Sequence, residues 1–324
     1  MIISYPLLKM LADGEVHQAS ALTLALSASG HDLVDQLAMV DAMGLSVLKV
    51  HDTYQLARPL DLLDEAAVRG TLGEATNHLN ALEIALTCDS TNQVLIDRVR
   101  DAHIHGTALF AEQQLRGRGR LGRVWVSPLA NNIYLSLAWR FPGGARGLQG
   151  LSLAVGVAAA DAIKACTGLT VQLKWPNDIY LAGKKCGGIL IDMTGDPTAD
   201  TVAVIGVGLN VSMPTDAANE IDQPWSDIQS VAGQHVSRSV LGGALLAALI
   251  NLVRSYEEAG FSQWRRRWAE LDYLRGQHVV VDGLVKLEGT AAGINEEGAL
   301  MIQTSTGLEA VFGGEASIRK MRSS

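Results

Sequence analysis

Apolar residues recur at helical spacing in three short stretches at the start of the chain, Ser4 to Leu11, Ala19 to Leu26 and His31 to Met43. The third carries Leu33, Leu37 and Val40 on one face and stops at Gly44, where a left-handed C-terminal residue is expected. Two strand-like runs follow, Leu45 to Val50 and Tyr54 to Leu56, across the short turn His51-Asp52-Thr53. Three helices and a hairpin predict a winged helix-turn-helix domain over residues 1–66, with a generic helical cap as the alternative. From about Thr71 to Asp272 strands and helices alternate, with strands expected at Thr107–Glu112, Ile133–Phe141, Val171–Trp175, Gly188–Met193 and Thr201–Val211. An Ala-rich helix is expected from Leu148 to Cys166, and two more at Val240–Ala259 and Phe261–Tyr273. Beyond Gly276 the pattern turns to short β runs, His278–Val281, Val285–Leu287, Leu300–Gln303 and Glu309–Phe312. The fold class is therefore α+β, with a central domain over 67–274 and a small β-barrel over 275–324.

Composition narrows this picture. The 324 residues are 48% hydrophobic and 19% charged, which excludes a disordered or fibrous chain. Three cysteines, Cys88, Cys166 and Cys186, lie far apart and form no CxxC pair, arguing against a disulfide framework or a structural zinc site. No apolar run reaches the roughly 18 residues of a membrane span, and no signal sequence is evident. A cytoplasmic protein without a membrane partner is expected. Basic side chains number 26 against 34 acidic, a net charge of -8, so any attraction for anions must be local.

One segment supplies it. Arg116-Gly117-Arg118-Gly119-Arg120-Leu121-Gly122-Arg123 puts four arginines and three glycines into eight residues. Glycines bring backbone N–H groups close to a phosphate, and guanidinium forks pair with phosphate or carboxylate oxygens. A solvated basic loop is the bland alternative, but a strand expected at Trp125, followed by Pro128, anchors the segment. The sequence does not fit GxxxxGK[ST], so an ordinary Walker site is excluded.

Lys174-Trp175-Pro176-Asn177-Asp178 ends one strand and Lys184-Lys185-Cys186-Gly187-Gly188 begins the next, so Lys185 is expected to face Lys174 and Asp178; an ordinary Pro-Asn-Asp turn would read the same way. Gly206-Val207-Gly208-Leu209-Asn210 either admits a ligand or forms a bulged core strand. Asp89-Ser90-Thr91-Asn92 fits a helix N-cap whose donors would also hold a polar ligand.

In this order, together with Gln114 and a terminal Gly313-Gly314-Glu315-Ala316-Ser317, these motifs resemble those of the biotin protein ligases, specifically the bacterial type that also serves as biotin operon repressor. The resemblance covers nearly the whole chain. It implies a mixed-sheet catalytic domain and an SH3-like C-terminal barrel. It also implies ATP-dependent activation of biotin to biotinyl-5'-AMP and transfer to a lysine of the biotin carboxyl carrier protein of acetyl-CoA carboxylase. Ser90, Thr91, Asn92, Gln114, Arg118, Gly119, Arg120, Trp125, Lys185 and Gly188 are then expected around biotin and the adenylate. Arg123, Lys174, Asn177 and Asn210 are expected toward the nucleotide, and Arg118, Arg120, Lys185 and Asp178 in the chemistry. Asp178, read as the only acid among these cations, orients the reacting groups or assists proton removal from the acceptor lysine; pairing with Lys174 is its bland role. Mg2+ is expected with ATP rather than in a cluster of protein ligands, and a homodimer through the central sheet is a further implication. A biotin-responsive repressor and a lipoate-protein ligase are the alternatives.

The first domain departs from the repressor pattern. Residues 1–65 hold Lys9, Lys49 and Arg58 against nine acids, a difference of -6, and Ser29–Met43 has no Lys or Arg but carries Asp32, Asp35 and Asp41. Binding to operator DNA rests largely on phosphate neutralisation, so it is expected to be weak or lost.

Overall fold

The computed structural model describes residues 4–26, 32–100, 103–195, 200–282 and 286–318. Residues 29–31 of the expected third helix and Val285 of an expected strand lie outside the described residues. The chain forms two compact units, residues 1–63 and 64–324.

In the first unit α1 (Tyr5–Leu11), α2 (Ala19–Leu26) and α3 (Leu33–Ala42) surround Leu7, Leu8, Leu11, Leu22, Leu26, Leu37 and Val40, all buried. Asp32 caps α3 by accepting from the N–H groups of Val34 and Asp35, and Gly44 follows it with φ +83°. The strands are β1 (His17–Gln18), β2 (Val47–Val50) and β3 (Thr53–Leu56), in the antiparallel order β1-β3-β2. β1 escaped sequence reading because two residues cannot show an alternation.

The second unit begins with α4 (Glu65–Gly70) and is built on a seven-stranded mixed sheet ordered β4-β5-β6-β10-β9-β8-β7. Its strands are β4 (Ala81–Cys88), β5 (Thr107–Gln114), β6 (Ile133–Phe141), β7 (Gln172–Lys174), β8 (Asp178–Leu181), β9 (Lys184–Gly195) and β10 (Thr201–Leu209). Only β4 and β5 run parallel, because α5 (Thr91–Asp97) lies between them in the chain. β10 pairs without a break with both β6 and β9, so the expectation of a bulge at Gly206–Gly208 is corrected. The segment at Trp125 is likewise not a strand: among the described residues an isolated Arg118–Val124 bridge is the only ladder contact there.

The Ala-rich helix α6 (Leu151–Thr167) ends at Gly168 with φ +76°. Behind Thr215–Ala218 (α7) and Ile228–Ala232 (α8) comes α9 (Arg238–Ala259), which packs against α6, followed by α10 (Ser262–Leu271). α9 has the length and apolarity of a membrane span, but 61% of that window is buried inside the protein, as in a core helix. The unit ends in a five-stranded antiparallel sheet ordered β14-β13-β12-β11-β15, made of β11 (His278–Asp282), β12 (Leu287–Ile294), β13 (Leu300–Gln303), β14 (Leu308–Val311) and β15 (Glu315–Ile318). Here β12 starts at Leu287, where the sequence reading ended a strand; its Gly289, Ala291 and Gly293 gave too little side chain to reveal it.

Candidate active site

One end of the site is built where β4 hands over to α5. Ser90 is the N-cap residue, but its side chain makes no capping bond. The parallel register instead sets Gln114 of β5 beside Cys88, and Gln114 Oε1 accepts from Thr91 N at 2.9 Å. Asn92, 3% exposed, spans three strands. Its Oδ1 lies 2.6 Å from Ser136 Oγ on β6, and its Nδ2 donates to Leu190 O at 3.2 Å and Asp192 Oδ2 at 2.9 Å on β9. It crosses β10 at Gly206, where a Cβ would come within 2.2 Å of its Oδ1; the first glycine of GxGxN thus seats a protein side chain.

The arginine segment folds back on itself. Gly119 N donates to Arg123 O at 2.7 Å and Trp125 N to Gly117 O at 2.9 Å, closing a loop around the turn Arg120–Gly122. A Cβ on Gly117 would meet Trp125 O at 2.5 Å, so only glycine fits. The indole of Trp125 lies over Gly208, whose Cβ would approach it to 2.7 Å, and over Gly188 beside it. Its N–H is buried without a protein partner, a donor available to a ligand.

The four arginines divide. Arg116 is 81% exposed and pairs loosely with Asp89, so it stands on the surface. Arg118 Nη2 lies 3.9 Å from Asp192 Oδ2. Arg120 Nη1 donates to Asn177 Oδ1 and Gly314 O, both at 3.4 Å, and Arg123 pairs with Glu315, so residues of the C-terminal sheet meet the loop. On the opposite wall Lys185 Nζ lies 2.7 Å from Asp178 Oδ1, with both side chains largely buried, and 5.7 Å from the Trp125 ring centroid. A bulge makes this pair: Tyr180 opposes Lys185 while Ile179 opposes Gly187, so Cys186 is the extra residue. Lys174 Nζ sits over the Tyr180 ring instead. Burial lowers the Lys174 pKa, with Asp178 opposing that shift and Lys185 adding to it.

Fourteen of the fifteen expected site residues line one cleft of about 670 Å³. The exception is Asn210. Its amide donates to Ser226 O at 3.2 Å, and it borders a separate small cavity. Asp178 is not the only acid among the cations, since Asp192 and Glu315 hold Arg118 and Arg123. Sequence reasoning missed Asp192 and Ser136, isolated polar residues on strands far from the motifs they serve; Glu315 stands in the terminal Gly-Gly-Glu-Ala-Ser motif, but its pairing with Arg123 was not foreseen. The cleft's five cations, Arg118, Arg120, Arg123, Lys174 and Lys185, suit two anions brought together. A carboxylate and a phosphate repel by about 4 kcal/mol at 4 Å for an effective dielectric near 20.

Comparison with known proteins identifies the chemistry. Residues 84–210 match the biotin/lipoate A/B protein ligase family, and residues 276–319 match the biotin protein ligase C terminal domain. The bifunctional ligase/repressor BirA of Salmonella typhimurium is 33% identical over 315 residues, 97% of this chain and 96% of the relative. The chain belongs to the biotin protein ligase family. It is an ATP-dependent biotin–protein ligase. The biotin–[acetyl-CoA-carboxylase] ligase of Mycobacterium tuberculosis is 32% identical over 270 residues, 78% of this ligase and 94% of the relative. Among solved structures, the biotin protein ligase from Aquifex aeolicus in complex with biotin and ATP matches with a TM-score of 0.64 and 26% identity, covering 74% of this ligase and 99% of that chain.

Proposed function

We propose that this ligase joins biotin to ATP as biotinyl-5'-AMP and passes the biotinyl group to one lysine of the biotin carboxyl carrier protein of acetyl-CoA carboxylase. The observation that carries the reading is the convergence of five cations with the Ser90-Thr91-Asn92 helix start on one cleft. In the first step a biotin carboxylate oxygen bonds to the α-phosphorus and pyrophosphate leaves. In the second the carrier amine attacks the carbonyl carbon, loses a proton and expels AMP. Ser90, Thr91, Asn92, Gln114, Gly119, Trp125 and Gly188 hold biotin and the adenylate. Arg118, Arg120 and Lys185 neutralise the two anions and the charge that builds on the phosphoryl oxygens. Arg123, Lys174 and Asn177 face the nucleotide, and Asn210 supports that end from behind through Ser226. Asp178, which pairs with Lys185, orients the acceptor amine and assists its deprotonation.

Among the described residues no three His, Cys, Asp or Glu side chains gather to hold a metal, so Mg2+ would arrive on the ATP phosphates. Domains over 1–66, 67–274 and 275–324, an SH3-like character for the last, a homodimer through the central sheet and a cytoplasmic location belong to the same reading. Incubation with ATP, labelled biotin and the carrier domain tests it: label on the carrier lysine is expected, and an unlabelled carrier would overturn it.

The relatives' repressor role supplies a second reading, which the N-terminal unit opposes. Its three helices and three-stranded sheet support a winged helix-turn-helix. Yet Asp32, Asp35 and Asp41 are exposed on or beside α3, where a DNA-reading helix needs basic or amide side chains. The expected result is no specific shift of the protein's own biotin-gene promoter at low salt with biotin and ATP. A discrete shifted band would contradict it.

A further inference from the structure

Asp192 lies in neither the arginine segment nor the α5 start, yet one carboxylate oxygen joins them. Oδ2 accepts from Asn92 Nδ2 at 2.9 Å and lies 3.9 Å from Arg118 Nη2. The two contacts differ in kind. Asn92 is 3% exposed, its Oδ1 is held by Ser136 and its Nδ2 also donates to Leu190 O at 3.2 Å, so losing the carboxylate removes the shorter of the two bonds that fix its amide nitrogen. The Arg118 contact is long and both side chains are substantially exposed, so it is weak and exchangeable. A carboxylate or phosphate entering the cleft would form a closer pair with the guanidinium than Asp192 does.

We infer that Asp192 is a positioning residue with two separable tasks: it fixes the Asn92 amide, and it pairs with Arg118 in a way that an anionic ligand can displace. The first task rests on the assignment of Asn92 to ligand binding. The second concerns the ligand-free protein and stands without that assignment. Asp192 therefore adds one exchangeable contact to those that Arg120 and Arg123 make for the arginine loop.

Two substitutions in the full chain separate the tasks. Asp192→Asn keeps an oxygen for the Asn92 amide but removes the charge facing Arg118; Asp192→Ala removes both. The biotin KM is expected to rise about tenfold in Asp192→Ala, the loss of one hydrogen bond, and to be largely restored in Asp192→Asn. Limited trypsin digestion of the ligand-free protein, read at Arg116 to Arg123, should be about threefold or more faster in both variants than in the unsubstituted protein, since cleavage follows the undocked population. Biotin with ATP should abolish that difference. A biotin KM in Asp192→Ala within twofold of the unsubstituted protein would overturn the Asn92 task. Equal ligand-free cleavage in Asp192→Asn and the unsubstituted protein would overturn the Arg118 task. If Asp192→Ala does not fold, failure of Asp192→Asn to cut faster still decides the second task, and Asp192→Ser decides the first.

Discussion

Lys185→Ala is expected to slow biotinyl-5'-AMP formation by about 10²–10³-fold at saturating biotin and ATP, the range for removing one preorganised charge donor from a site. Lys185 Nζ is held 2.7 Å from Asp178 in a part of the cleft where both side chains are largely buried, so its charge acts at low local dielectric. The substitution also leaves Asp178 as an uncompensated negative charge facing two anionic substrates. A second variant separates these contributions. Asp178→Asn combined with Lys185→Ala should recover part of the loss in adenylate formation, because the exposed acid is gone, while transfer to the carrier stays slow. Pyrophosphate release measures the first step and carrier labelling the second. Unchanged pyrophosphate release in Lys185→Ala would refute the role assigned to this lysine.

Glu112→Ala is expected to be the most damaging substitution for stability. Arg238, the first residue of α9, is 1% exposed; its Nη2 lies 2.6 Å from Glu112 Oε2 on β5, and its Nη1 donates to Asn132 O at 2.7 Å. Removing the carboxylate takes a close charged partner from a buried guanidinium, a loss of about 3–5 kcal/mol. For a unit of this size that corresponds to a fall of roughly 10 °C in Tm. The same physics predicts that Glu112→Met with Arg238→Met, which removes both charges, loses much less. A thermal melt of the two proteins decides: equal Tm values would show that the buried charge is not what matters at this site.

Most of this site was legible because its parts are chemically dense. Four arginines among glycines, or Lys-Trp-Pro-Asn-Asp, are improbable as packing and concentrate at turns, where sequence and geometry stay close together. The 17-residue α6 was readable for a related reason, since a long apolar pattern announces its period, whereas of the 12-residue β9 only Gly188–Met193 was expected. The omissions have the opposite character. Ser136 sits inside the buried run Ile133–Phe141 and reads as a core strand position, although it lies against Asn92, 44 residues away in the chain. Asp192 and Glu315 gain their meaning only when β9 and the C-terminal sheet meet the arginine loop. Asn210 was placed by its motif at a strand end, but the strand stops at Leu209 and the amide turns toward Ser226. Trp125 was assigned a strand where the chain makes only a single bridge; what anchors it is the pair of side-chain-free positions beneath its ring, Gly188 and Gly208.

An enzyme-bound biotinyl-5'-AMP is the species proposed to lie between the arginine loop, Trp125 and Lys185. The direct measurement is to form it with ATP and labelled biotin, remove free ATP and biotin by gel filtration, and add the carrier domain alone. Label is expected to move to a single carrier lysine with one AMP released per transfer, and no comparable transfer is expected when lipoate replaces biotin. Failure to recover a bound adenylate, or a carrier that is labelled only while ATP is still supplied, would contradict this proposal.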